Sequence, residues 1–144
     1  MKPPHRDFLS VLRADLEDYE GGYDRVVPHV PRYFELLTGL LDDARFPKDL
    51  RPMVNCALAY FIVPFDVLSE EDAGPDRYVD EAFVCAKAVD QIGIRIPNRQ
   101  IVLDHWSGKE DPFDLSRSIC REVMVELGEE AIEQILHYTG IEEV

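Results

Sequence analysis

Apolar residues at Phe8, Leu12, Leu16 and Tyr19 step by four, four and three along the chain, the spacing of one helix face. Gly21 and Gly22 close that helix, and Pro28 and Pro31 bracket a short irregular link. Pro31 suits the first turn of a second helix whose Phe34, Leu37, Leu40 and Leu41 face inward, ended by Asp42, Asp43 and Pro47. A third helix begins near Lys48 and runs through Met53 to Val63, where almost every side chain is apolar. Lacking a wet face, it belongs at the centre of the fold, packed by others on several sides. Its apolar run of eleven residues is too short to cross a bilayer, which takes about 20.

Pro64 stops this helix, and Ser69 to Asp76 is a connecting loop rich in residues that favour turns and caps. Asp76 is the candidate N-cap of the next helix, where Val79, Phe83, Ala86 and Val89 carry the apolar stripe and Gly93 closes it. Ile94 to Pro97 alternates briefly, then Pro97 and Asn98 open a short helix from Arg99 to Ser107. Leu115, Ile119, Val123 and Leu127 form a ladder after Asp114, and Ala131, Ile135 and Tyr138 extend it beyond Gly128 to a stop at Gly140. The pattern predicts an all-α fold: a compact bundle of five to seven helices around the central apolar helix, in one domain spanning residues 1–144.

Composition narrows the function classes. A hydrophobic fraction of 46% with 31% charged residues excludes a disordered chain and a membrane-inserted one. The excess of 29 acidic over 15 basic residues, a formal charge of −14, leaves no basic face for a nucleic-acid backbone. A basic protein surface is the partner that such a charge complements. Cys56, Cys85 and Cys120 are widely separated and embedded in apolar sequence, so they read as small buried hydrophobes in a reducing compartment. The N-terminus turns acidic before any apolar core of signal-peptide length, which predicts a cytoplasmic protein.

One stretch has a specific layout. The apolar helix leads into Pro64-Phe65-Asp66, a turn containing Gly74 follows, and then Tyr78, Asp80 and Glu81 open the next helix. In this order and spacing the segment from Tyr33 to Ile92, about 60 of the 144 residues, resembles the YkvA-like family of unknown function. Two positions depart from the family pattern: Glu81 stands where Asp is usual, and Ser69 where a proline is common. The resemblance implies a compact helical domain and carries no activity that transfers to named residues.

Between Asp66 and Glu81 there are seven carboxylates and one cation, Arg77. Three readings account for that density. In the first, Asp66 and Asp76 cap helix starts while Asp80 and Glu81 sit in a first turn, favoured by the helix dipole. In the second, Asp66, Asp76 and Asp80 converge on Mg²⁺ or Ca²⁺. An EF-hand frame fails, because setting Gly74 at its glycine position puts Ala73 at a ligand position and Asp80 where a longer Glu is needed. In the third, Glu70, Glu71 and Asp72 form an exposed recognition loop with Phe65 and Tyr78 as nearby apolar anchors.

Covalent chemistry finds little support. His5, His29, His105 and His137 are scattered, none at helical spacing from a cysteine, and no zinc-protease, dithiol, dinucleotide or P-loop motif occurs. Glu122, Glu126, Glu129, Glu130 and Glu133 recur opposite the Ile119–Val123–Leu127 stripe, as a solvated helix face does and as a nucleic-acid mimic would. The sequence therefore predicts a non-enzymatic interaction or scaffold domain with no resident cofactor. A divalent-metal enzyme using Asp66, Asp76 and Asp80 and an acidic inhibitor are the alternatives.

Overall fold

A computed structural model describes residues 4–17, 23–62 and 78–141, and in these residues the chain is built from helices without strands. In chain order the α-helices are α1 (Pro4–Leu16), α2 (Val30–Asp42), α3 (Arg51–Ile62), α4 (Val79–Arg95), α5 (Gln100–Leu103), α6 (Pro112–Leu127) and α7 (Glu129–Thr139). Short 3₁₀ turns at Val27–His29 and Lys48–Leu50 lead into α2 and α3. The all-α bundle read from the periodicity is the fold observed.

Its centre is not where the apolar run pointed. Helix α4, not α3, is the buried axis: all of Val79–Ala86, together with Ala88, Val89, Ile92 and Gly93, lie in the interior. Helix α3 keeps an open side, with Asn55 and Ala59 exposed and Cys56 and Leu58 only partly covered. The reason is size as well as polarity. Helix α4 presents Ala82, Cys85, Ala86, Ala88 and Gly93 to its neighbours, and small side chains let several helices approach one backbone. Helices α2, α3, α6 and α7 all pack on it.

The pairing of α4 with α6 is the most extensive among the described helices. The two run antiparallel, Gly93 facing Phe113 and Lys87 lying near Cys120. A Cβ at Gly93 would sit 2.5 Å from the Phe113 ring, so this glycine is a seat for an aromatic ring and not the helix stop its residue type suggests. Helix α4 continues through it to Arg95. The Arg99 side chain then donates from Nε to the Gly93 carbonyl at 3.1 Å and lays its guanidinium over the Phe113 ring at 4.7 Å. The helix anticipated from Arg99 to Ser107 is the single turn α5.

Helix α6 starts one residue after Asp111, whose Oδ1 accepts from the Phe113 and Asp114 amides at 2.8 and 3.0 Å, with Pro112 in the first turn. This is an Asp N-cap followed by a proline that lacks the donor the cap would otherwise have to satisfy. Ser116 donates to the Pro112 carbonyl at 2.6 Å and accepts from the Tyr33 hydroxyl at 2.8 Å, tying α2 to α6 inside the core. Gly128 (φ 87°) breaks α6 from α7, and Gly140 (φ 67°) ends α7 in the left-handed conformation, its N–H donating to the Leu136 carbonyl. Both breaks match the sequence reading, because a positive φ favours glycine.

At the far end of α2, Arg51 donates to the carbonyls of Leu41 and Asp43 at 2.7 and 3.3 Å, satisfying groups the helix end leaves open. Asp43 accepts from Arg45 and from His105 Nε2, each at 2.8 Å. Hydrogen bonds from Arg45 and then His105 hold its carboxyl well below the usual carboxylate range. A depressed folded-state pKa contributes stability that is complete above the unfolded value and is lost as pH falls below it. The parent is therefore expected to lose melting temperature on acidification below about pH 4, and Asp43→Asn to be less stable at neutral pH with a shallower acid limb. A thermal-melt series in pH checks this; equal slopes for parent and variant would refute it.

Candidate functional site

Two regions of the described structure concentrate chemistry. The first is the opening of α4 and the cleft beside it. Tyr78 stands at the N-cap position of α4 with helical φ and ψ of −74° and −3° and no side-chain cap bond. Asp76, expected to be that cap, precedes it and lies outside the described residues, as do Pro64, Phe65, Asp66, Glu70, Glu71, Asp72 and Gly74. Tyr78 is buried, 7% exposed, so it packs in the core and is not a surface anchor. Among the described residues no three His, Cys, Asp or Glu side chains form a group that could hold a metal.

Asp80 and Glu81 sit in the first turn of α4, where the helix dipole favours negative charge. What the sequence did not disclose is that both point inward, at 0% and 5% exposure. The hydroxyl of Tyr60, on α3, lies 3.4 Å from Asp80 Oδ2 and donates to it. Tyr60 in turn meets Tyr138 of α7 edge to face, with ring centroids 6.2 Å apart. The two tyrosines border a cleft of about 360 Å³ between α3 and α7, whose other walls are Asn55, Cys56, Ala59 and Thr139. No lining side chain carries a formal charge at neutral pH.

The cysteines are weak nucleophiles here. Burial raises the Cys56 thiol, and burial together with the neighbouring Glu81 carboxylate raises that of Cys85. Burial also pushes Cys120 up to about 12. All three are free thiols, and only Cys85 is the buried core residue the sequence suggested; Cys56 and Cys120 are partly exposed. The hydrogen-bonded histidines go elsewhere: His105 to Asp43, and His29 to Arg32 at 3.1 Å.

The second region is the outer face of α6 and α7. Glu126, Glu129, Glu130 and Glu133 are exposed and Glu122 is half-buried. Among the described residues none of the five forms an ion pair or side-chain hydrogen bond, whereas Arg117 is taken up by Asp114 at 2.7 Å. Val125 and Met124, at 82% and 48% exposure, lie among these glutamates. From Glu122 to Thr139 the chain has no Lys or Arg. No helix among the described residues is long and apolar enough to cross a membrane.

The chain is 30% identical over 126 residues to the uncharacterized protein ORF9 of Methanothermobacter thermautotrophicus, an alignment covering 85% of this chain and 83% of that protein. No protein-family model matches the chain, and no solved structure matches it.

Proposed function

The chain belongs to the family of the Methanothermobacter thermautotrophicus protein ORF9, and from its own residues we propose that it is a non-enzymatic interaction domain that meets a basic protein surface. The observation that carries this is the run from Glu122 to Glu133 along α6 and α7, whose five glutamates have no ion pair or side-chain hydrogen bond among the described residues and include the exposed Met124 and Val125 in their span. Exposed carboxylates without an internal ion pair have none to break on meeting a cation, and they steer a basic partner over distances near the Debye length. The exposed Val125 supplies the apolar contact that turns encounter into binding. Glu70, Glu71 and Asp72 add three more negative charges to the chain. Tyr78, Asp80 and Glu81 at the head of α4 support a YkvA-like kinship, a family to which no activity is attached.

The triple variant Glu126→Lys/Glu129→Lys/Glu130→Lys changes exposed positions, so its melting temperature is expected to stay within a few degrees of the parent, surface changes costing about 0.5 kcal/mol or less each. Immobilised parent protein is expected to retain basic proteins in a manner that falls steeply between low and high salt, and the variant to lose at least about tenfold of that retention. Equal retention by parent and variant, or retention insensitive to salt, would remove this reading.

A further inference from the structure

A guanidinium can only donate hydrogen bonds, and at the start of α2 one such donor fixes the state of a histidine. Arg32 Nη1 lies 3.1 Å from His29 Nδ1, so Nδ1 presents its lone pair and the ring is neutral, with its hydrogen on Nε2. Glu110 Oε1, from the link between α5 and α6, stands 3.8 Å from Arg32 Nη1 and 3.9 Å from His29 Nδ1. One carboxylate thus faces two nitrogen groups, of which only the arginine carries a charge. His29 ends the 3₁₀ turn at the N-cap position of α2, where the peptide dipoles disfavour a cation, and its side chain is 17% exposed. Arg32 also lines a cavity of about 560 Å³ beside α1 and α2, together with Arg13, Leu16, Glu17, Pro28 and Ser107.

We propose that His29 is a proton-operated latch on Arg32. Neutral, the ring holds the guanidinium by accepting from Nη1. A proton taken from solvent at Nδ1 occupies that lone pair and sets one N–H against another, so the bond to Arg32 breaks. The imidazolium then pairs with Glu110, which already stands within reach, and Arg32 is left as a free cation in the cavity wall. Burial works against protonation of the ring, Glu110 favours it and Arg32 opposes it. Arg13 and Glu17 of α1 line the same cavity, Arg13 being held by Glu35 at 2.7 Å. Helix α4 packs on the 3₁₀ turn and carries Asp80, Glu81, Lys87 and Asp90, none of them among the charges that act on the ring.

The test is an NMR titration of the ¹³C/¹⁵N-labelled full chain from about pH 8 to 4.5, following the ring of His29 and the Nε–H of Arg32. At the alkaline end the ring nitrogens should report the neutral form with hydrogen on Nε2. His29 should titrate below the ordinary 6.5, and the Arg32 signal should move with the same midpoint. Arg32→Gln should raise the His29 midpoint and Glu110→Gln should lower it, opposite directions that a general loosening of the fold would not produce. The two side chains are 44% and 40% exposed, so both variants should fold; if either does not, the parent titration decides alone. A neutral ring with hydrogen on Nδ1, a His29 midpoint at or above 6.5, an Arg32 signal flat through that midpoint, or midpoints displaced in the same direction by both variants would overturn the latch.

Discussion

Phe113→Ala is expected to destabilise the protein by about 3–5 kcal/mol, the usual cost of emptying a buried aromatic site. Domains of this size are held by about 5–15 kcal/mol in all, so the variant should unfold at a much lower urea concentration. The ring is 3% exposed, packed close to Gly93 and with the Arg99 guanidinium 4.7 Å from its centroid. Removing it opens a cavity on the α4–α6 interface and strips Arg99 of its aromatic partner. Gly93→Ala approaches the same contact from the other side. A Cβ placed 2.5 Å from Cδ1 of the ring overpacks at about 1–3 kcal/mol, against a gain of about 1 kcal/mol from replacing a helical glycine. Combining Gly93→Ala with Phe113→Leu should therefore cost less than the two single changes added together, because the smaller ring substitute makes room for the methyl. Chemical denaturation of the four proteins gives the coupling directly. Additive losses, or less than about 1 kcal/mol for Phe113→Ala, would show that the ring does not organise this interface.

That contact also shows what a sequence can and cannot disclose. A glycine near the end of an apolar stripe reads as a stop, and Gly128 and Gly140 do stop helices through their positive φ. Gly93 carries the same letter for a different reason, the approach of a ring from twenty residues further along the chain, which no local pattern encodes. The central helix was misplaced on similar grounds. The run from Met53 to Val63 has a higher proportion of apolar residues than α4, yet α4 is the one enclosed, because its alanines and Cys85 admit close neighbours on every side. Periodicity reports which face of a helix avoids water, and it reports poorly how many neighbours the helix will have. The start of α6 was placed too late: the apolar ladder drew attention to Asp114, whereas the cap is Asp111 with Pro112 in the first turn.

The candidate site divides in the same way. The exposed glutamates of α6 and α7 were readable from their spacing opposite the apolar ladder, since a helix face is a local property. The cleft was not, because Tyr60 and Tyr138 are far apart in the sequence and meet only when α3 and α7 pack. The dense acidic segment from Glu70 to Asp76 lies outside the described residues. The two acids that follow it, Asp80 and Glu81, sit in the first turn of α4 as their place in the sequence suggested, but with their side chains in the interior.

Asp80→Ala is expected to cost about 3–5 kcal/mol, as breaking a buried charge constellation does. A carboxylate at 0% exposure has given up hydration worth several kcal/mol, and it persists only where the protein stabilises it in return. The first turn of α4 supplies part of this, on the order of 0.3–2 kcal/mol from the aligned peptide dipoles. The Tyr60 hydroxyl, at 3.4 Å from Oδ2, supplies a hydrogen bond to a charged acceptor, worth less than the roughly 1.5–3 kcal/mol of a short one because of its length. Asp80→Asn keeps the shape and removes the charge, so its loss should fall between those of Tyr60→Phe and Asp80→Ala. In a double-mutant cycle, Tyr60→Phe and Asp80→Asn should be non-additive by about 0.5 kcal/mol or more. Denaturation of the single and double variants measures both the losses and the coupling. A neutral or stabilising Asp80→Ala would mean that the carboxylate is a tolerated burden on the core.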